Sequence, residues 1–228
     1  MNNESVFIII PAYNEGKVIE STIHPLIKAG YSVVVVDDGS IDHTCDILEK
    51  LPIFLLRHPI NLGQGASLQT GMTFALENGA KYIVHFDADG QHRIEDIPAL
   101  LEPLIKSEAD VVLGSRFLRS EDVREIPLIK GLVLKCAIIV NGFMTGVWLS
   151  DAHNGFRAFT KDAAQKINLL ENGFAHASEI VYQIRKLKLR YVEKPTKIYY
   201  SEYSKTKGQS IWNAINIVID LMLRRIFK

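Results

Sequence analysis

Two carboxylates one residue apart, Asp87 and Asp89, directly follow the apolar run Tyr82–Phe86. In an extended or turning segment, alternate side chains fall on one side and can converge on a single ion. Paired carboxylates present hard oxygen ligands that suit Mg2+ or Mn2+, ions that leave their remaining positions to phosphate and water. An ion held there would neutralise charge developing on a diphosphate leaving group. Gln91 and His92 follow within reach, and His92 reads as a surface or supporting histidine rather than a ligand. A second acidic pair, Asp37 and Asp38, closes the run Ser32–Val36. Two acids ending a strand of valines are costly unless they are solvated or used. One of them, Asp38, is therefore expected to accept hydrogen bonds from the base or ribose of a nucleotide. The alternative is a cap or turn ahead of Thr44.

Other residues of chemical interest lie further along. Arg116 presents a planar fork suited to clamping a phosphate. Asp151 could orient a sugar hydroxyl, act as a general base, or form a turn before Phe156. Glu179 stands at the start of a predicted helix, where the macrodipole favours a carboxylate in any case, so it is a minor candidate. His153 and His176 read as structural or exposed. Lys205, Lys207 and Ser210 precede the last predicted helix, and lysines at a helix N-terminus make a good anion site.

The elements that must position these groups alternate along the first half of the chain. Val6–Ile10 is a β-branched run stopping at Pro11, and it predicts a buried parallel strand. Further strands are expected at Ser32–Val36, Ile53–Leu56, Tyr82–Phe86 and Asp110–Leu113. Helices are expected between them at about residues 15–29, up to Leu48 from a cap at Ser40 or Asp42, 66–77, and 94–106. Alternation of this kind implies an α/β protein with a doubly wound, mostly parallel sheet flanked by helices. In such sheets ligands bind outside the carboxyl ends of the strands. Pro11–Glu15, Asp37–Ser40 and Asp87–Asp89 all fall at such ends. Beyond Leu118 the spacing predicts a long apolar helix over 128–146, a short strand at Gly155–Thr160, and a helix at Ser178–Leu187. Strands flanking Pro195 at Arg190–Glu193 and Thr196–Tyr200 precede a last amphipathic helix over 210–228.

With 228 residues, 47% of them hydrophobic, the chain can bury a sizeable core as one domain. Lysine plus arginine and aspartate plus glutamate both total 26, and this balance argues against general nucleic-acid binding. Cys45 and Cys136 are far apart and lack CxxC spacing, which fits two thiols in a reducing compartment. No signal peptide is read at the N-terminus, so the cytoplasm is expected.

In order along the chain, Pro11-Ala12-Tyr13-Asn14-Glu15, Val36-Asp37-Asp38-Gly39-Ser40, Asn61-Leu62-Gly63-Gln64-Gly65 and Asp87-Ala88-Asp89-Gly90-Gln91-His92 resemble family 2 glycosyltransferases. The similarity is to the branch containing dolichyl-phosphate mannose synthase and bacterial polyprenyl-phosphate sugar synthases. Gly114-Ser115-Arg116, Ser150-Asp151 through Asn154-Gly155-Phe156-Arg157, and Lys207-Gly208-Gln209-Ser210 extend it over nearly the whole chain. The resemblance implies a GT-A fold and an inverting, metal-dependent transfer from a nucleotide-sugar donor of UDP or GDP type to a lipid-phosphate acceptor. It implies that Pro11, Tyr13, Glu15 and Asp38 bind base and ribose, with Gly65 and Ala88 in the same donor site. Asp87, Asp89 and Gln91 would hold Mg2+ or Mn2+. Arg116 and the segment Asp151 to Arg157 would line the sugar and acceptor pocket, with Asp89, Asp151 and Arg116 as the catalytic set. Lys205, Lys207 and Ser210 would close over the diphosphate. Residues 1–118 would form the nucleotide half, 119–207 the acceptor half and 208–228 the C-terminal helix.

Related lipid-carrier enzymes meet the lipid phosphate with an arginine cluster before the long middle helix; here Arg119, Arg124, Lys130 and Lys135 stand in that region. The C-terminal helix has a narrow polar stripe and a wide apolar face. Packing on the core, lying in a membrane interface at the inner face, and docking to a small integral membrane partner all remain open for it. Three rival activities are also open: transfer to a sugar hydroxyl in a surface polysaccharide, nucleotidyl transfer, and non-catalytic nucleotide-sugar binding. The first would require Asp151 or Glu179 as base. The second is disfavoured because Pro11–Glu15 replaces the glycine-rich basic loop expected after the first strand.

Overall fold

The computed structural model describes residues 3–118, 138–143, 145–151, 154–173 and 175–199. The strands are β1 (Val6–Ala12), β2 (Ser32–Asp37), β3 (Phe54–Arg57), β4 (Tyr82–His85), β5 (Val111–Ser115), β6 (Arg157–Thr160) and β7 (Tyr191–Pro195). The helices are α1 (Ile19–Lys28), α2 (Thr44–Leu48), α3 (Gln64–Glu77), α4 (Ile97–Ile105), α5 (Lys161–Lys166) and α6 (His176–Lys186). Residues 138–143 and 145 are also helical.

The seven strands form one sheet in the order β3-β2-β1-β4-β6-β5-β7. Strands β1 to β4 pair in parallel, as does β5 with β7. The sheet is therefore mostly parallel, as expected, with one strand reversed: β6 runs antiparallel to both β4 and β5. Alternation along β1 supplies two cores. Val6, Ile8 and Ile10 pack with Ile19 and Ile23 of α1 and Leu100 of α4. Phe7 and Ile9 pack with Leu68 and Met72 of α3 and Ile180 of α6. Helices thus cover both faces, which is why the strands read as unbroken apolar runs.

Several expectations are revised. The first strand does not stop at Pro11 but runs to Ala12, paired with β2, and the first helix begins at Ile19 rather than Glu15 because residues 13–18 form the turn between them. Helix α5 was not anticipated; Thr160 starts it by accepting a hydrogen bond from the Ala163 N–H at 3.2 Å, a cap in the position where threonine is favoured. One strand runs to Pro195 instead of two flanking it, because β7 is an edge strand whose last residue tolerates proline. Beyond it Ile198 makes only an isolated bridge to His92. Most of the long helix expected at 128–146, together with Arg119, Arg124, Lys130 and Lys135, lies outside the described residues. So do the C-terminal helix and Lys205, Lys207 and Ser210. Among the described residues no helix is long and apolar enough to cross a membrane.

Strand β6 joins the two halves of the sheet, and Phe159 sits at its centre, paired with Ile83 of β4 and Val111 of β5 and fully buried. Truncating it leaves a cavity at the junction. Phe159→Ala is expected to lower stability by about 3–5 kcal/mol, seen as a lower urea midpoint with an unchanged slope.

Candidate active site

The chain leaves β4 through Phe86 and turns at Asp87-Ala88-Asp89-Gly90. Both oxygens of Asp87 are already engaged. His92 Nε2 lies 2.8 Å from Oδ2, and Gln64 Nε2 donates to Oδ1 at 3.2 Å. The His92 ring is fixed by packing against Phe156, with centroids 4.7 Å apart, and edge-on to Phe86. Opposite, Gly155 leaves the space that the carboxylate fills: a Cβ there would sit 2.8 Å from Asp87 Oδ2. Asp89 Oδ1 accepts the Gln91 N–H at 3.1 Å, and the Gln91 carbonyl accepts the Tyr199 N–H at 2.9 Å. The Ala88 carbonyl accepts from Thr22 Oγ1 of α1 at 3.2 Å. Ala88 is buried, so it anchors the turn, while Asp87 and Asp89 remain partly exposed.

The two acids sit in different fields. Burial pushes Asp87 up, but the charge and hydrogen bond of His92, with Arg157 and His176 behind, outweigh it and hold Asp87 below the usual carboxylate range. Burial and then the neighbouring charge of Asp87 raise Asp89 to about 6. Arg157 is 2% exposed, and burial brings its pKa down to about 10 against the opposing pull of Asp87 and Asp151. His85, opposite Arg157 in the β4–β6 register, is held neutral by burial, Arg157 and His176. A pair of partly exposed acids, one of them reluctant to ionise, with a glycine wall beside it, fits a divalent cation. Among the described residues no three His, Cys, Asp or Glu side chains converge as a closed cage. The protein would supply the two carboxylates and leave room for phosphate oxygens and water.

At the same end of the sheet, Pro11 lies within the last residues of β1, paired with Val36, and Tyr13 is exposed. Glu15 lies near enough for its charge to be felt at Asp89. The turn is held from β2: Ser40 Oγ accepts the Asn14 N–H at 2.9 Å, and Thr44 Oγ1 accepts the Glu15 N–H at 2.8 Å.

Asp38 is engaged by the protein itself. It is 3% exposed, and its oxygens meet His58 Nδ1 at 2.7 Å and the N–H groups of Leu62 and Gly63 at 3.0 and 2.7 Å. The acid at the end of β2 is used, as its cost demanded, but by the protein: it ties the 61–63 loop to the sheet. Gly65 is buried, its N–H bonds to the Asn172 carbonyl at 2.7 Å, and a Cβ would collide with the Glu171 carbonyl. The glycine allows one backbone to approach another. Arg116 and Asp151, expected as phosphate clamp and as base or sugar contact, are bonded to each other. Nε and Nη2 reach the two Asp151 oxygens at 2.6 and 2.7 Å, and the Arg116 N–H adds a third bond at 3.1 Å. Glu179 accepts from the N–H groups of Leu170 and Glu171, so it shapes the loop before α6.

Residues 7–168 match the domain described as glycosyl transferase family 2. The chain belongs to that family. An uncharacterized protein of Methanocaldococcus jannaschii is 35% identical over 100% of this chain and 95% of its own length. The UDP-N-acetylglucosamine–dolichyl-phosphate N-acetylglucosaminyltransferase of Methanococcus voltae is 30% identical over 100% and 99%. The crystal structure of glucosyl-3-phosphoglycerate synthase from Mycobacterium tuberculosis, in complex with Mn2+, uridine diphosphate and phosphoglyceric acid, superposes with a TM-score of 0.66. It is 18% identical over 95% of this chain and 78% of that one, a likeness that shows the GT-A fold.

For a family 2 glycosyltransferase, the residues that sequence reading passed over are Gln64 and Gly155 as neighbours of Asp87. Both were inside motifs already noted, but attention to glycines favoured Gly65 over the residue before it. The strut at Asp38 gives a test with a defined sign. Burial raises its pKa, and the bonds from His58, Leu62 and Gly63 more than reverse this, leaving it lowered. Its stabilisation is therefore complete above the ordinary carboxylate value of ~3.9 and lost as pH falls through the folded value. Asp38→Asn is expected to cost about 2–3 kcal/mol near neutrality. In urea titrations its gap from wild type should narrow steadily below about pH 4.

Proposed function

We propose that this glycosyltransferase moves a sugar, with inversion, from a nucleotide diphosphate donor to a polyprenyl phosphate, using Mg2+ or Mn2+ held by Asp87 and Asp89. One observation supports this above the others. The acids at the end of β4 are partly open, while Asp151 and Glu179, the two candidates for a general base, are each tied by protein donors. An acceptor hydroxyl needs a base; a phosphate oxygen is already anionic. That oxygen would attack the anomeric carbon as the bond from that carbon to the donor's β-phosphate oxygen breaks. The nucleoside diphosphate leaves, and no proton has to be moved. The name of the Methanococcus voltae relative supports a dolichyl-type phosphate as acceptor. Together with the uridine diphosphate of the Mycobacterium tuberculosis complex, it also favours a uridine donor over a guanosine one.

The bound ion would offset charge on the departing diphosphate, with Gln91 as a further ligand. Pro11, Tyr13 and Glu15 are assigned to the nucleoside. Arg157 supplies a fixed positive field behind the donor. Lys205, Lys207 and Ser210 are assigned to a loop over the diphosphate. Reaching a lipid carrier makes the protein peripheral at the inner face of a membrane.

A panel of nucleotide sugars with Mn2+ or Mg2+, incubated with and without polyprenyl phosphate, tests the reaction. Lipid-linked sugar should form only when the lipid phosphate is present, and equal turnover on sugar hydroxyl acceptors would refute the proposal. Asp89→Ala should abolish turnover with its circular dichroism unchanged. Gly155→Ala should weaken Mn2+ binding at least ten-fold by calorimetry, because its methyl group occupies the place of the Asp87 carboxylate.

A further inference from the structure

Beyond the acid turn the chain runs alongside the segment that follows β7. His92 and Ile198 form an antiparallel bridge, and the Tyr199 N–H donates to the Gln91 carbonyl at 2.9 Å. This register sets Gln91 opposite Tyr199 and Arg93 opposite Lys197. Side chains alternate across such a pair. His92 and Ile198 turn inward and are buried, His92 against Asp87 and Phe156. Gln91, Arg93, Lys197 and Tyr199 therefore share the outer face. The contacts agree with this: the Arg93 guanidinium carbon is 5.6 Å and the Lys197 ammonium 6.0 Å from the centre of the Tyr199 ring. Tyr199 is 49% exposed.

Two cations gathered at one ring, beside the acid turn, need a physical reason. Like charges directly opposite each other in a strand pair cost stability. The ring face offsets part of that cost. Glu95 offsets another part, but its carboxylate is 65% exposed and meets Arg93 Nε at 3.4 Å, a long contact. Asp96 is buried and accepts the Lys197 backbone N–H at 3.0 Å. An arriving anion with several oxygens would relieve the repulsion that remains.

The reaction proposed above brings such an anion. Its acceptor oxygen is charged and must approach a donor that already carries a negative diphosphate. Like charges at close range repel strongly away from bulk water. The metal ion is committed to the leaving group, so the acceptor phosphate calls for positive charge of its own, close to the acid turn but outside its ligand set. A guanidinium fork and an ammonium point charge both suit phosphate oxygens. A half-exposed tyrosine ring beside them suits the apolar carbons that follow the phosphate.

We propose that Arg93 and Lys197, set against Tyr199, receive the phosphate monoester of a prenyl acceptor beside the acid turn. This rests on the reading that the acceptor is a lipid phosphate.

Calorimetry of the full chain with geranyl phosphate tests the assignment without requiring turnover. Wild type should bind it, and inorganic phosphate should compete. Arg93→Gln and Lys197→Gln should each raise the dissociation constant about ten-fold, and the double variant further. Glu95→Gln, which removes a competing carboxylate, should lower it about two-fold. Tyr199→Phe should bind as wild type does, and Tyr199→Ser more weakly. The Mn2+ dissociation constant should hold in all of them. In transfer assays KM for geranyl phosphate should rise in the glutamine variants while KM for the nucleotide sugar holds. Binding that depends on Arg93 and Lys197, without any lipid-linked sugar from wild type, would leave the site standing and remove the acceptor reading. Transfer with an unaltered KM for geranyl phosphate in the double variant would keep that reading and overturn the site. Equal competition by geraniol or by phosphatidylglycerol, no binding by wild type, or Mn2+ affinity lost in step with geranyl phosphate would each overturn the site as well.

Discussion

The constraint on which this site depends is the fixed carboxylate of Asp87. A carboxylate leaving a strand end would ordinarily sample several rotamers. Here His92 and Gln64 take one oxygen each and Gly155 forms the wall. Three segments distant in sequence must fold correctly before that geometry exists, and the sheet order brings them together. Strand β4 lies between β1 and β6. Because β6 is antiparallel, its beginning rather than its end lies beside the end of β4. That reversal delivers Gly155 and Arg157 to the acids, whereas a parallel strand in the same place would have delivered Thr160. The one strand that breaks the parallel rule is therefore the one that completes the acidic site.

The two acids show how a fixed geometry becomes a difference in chemistry. Asp87 has His92 bonded to it and Arg157 and His176 nearby, and it stays ionised. Asp89 accepts the Gln91 N–H, but burial first, then the charge of Asp87 and more weakly that of Glu15, raise it to about 6. Two carboxylates this close cannot both be fully charged without added positive charge. His92 opposes the rise at Asp89 as well, but burial and the charge of Asp87 outweigh it there.

Much of this was legible in the sequence because parallel strands covered on both faces read as plain apolar runs. The strands ending at Ala12, Asp37 and His85 were located within two residues, and so were the polar clusters that follow them. Direction was not legible for Arg157–Thr160, since four residues carry no period that distinguishes parallel from antiparallel pairing. Asp38 was recognised as an acid that had to be used, but its user was twenty residues away at His58 and further on at Leu62 and Gly63. A cost can be read locally; the partner that offsets it depends on the fold. Gly65 shows the same limit. Glycine signals close approach, and only the tertiary structure says whether a phosphate or another backbone does the approaching.

The buried pair of Arg116 and Asp151 illustrates the same point at higher stakes. Each was read alone as a group awaiting a substrate. Together they make a two-pronged ion pair with an added backbone bond, and both are less than 10% exposed. Separating such a pair strands a buried charge, at a cost of about 3–5 kcal/mol. The pair fixes the backbone from Ser150 to Asp151, which Glu193 holds from the other side through the Ser150 N–H at 2.9 Å. Chemistry that needs no mobile base there is the chemistry this arrangement accommodates.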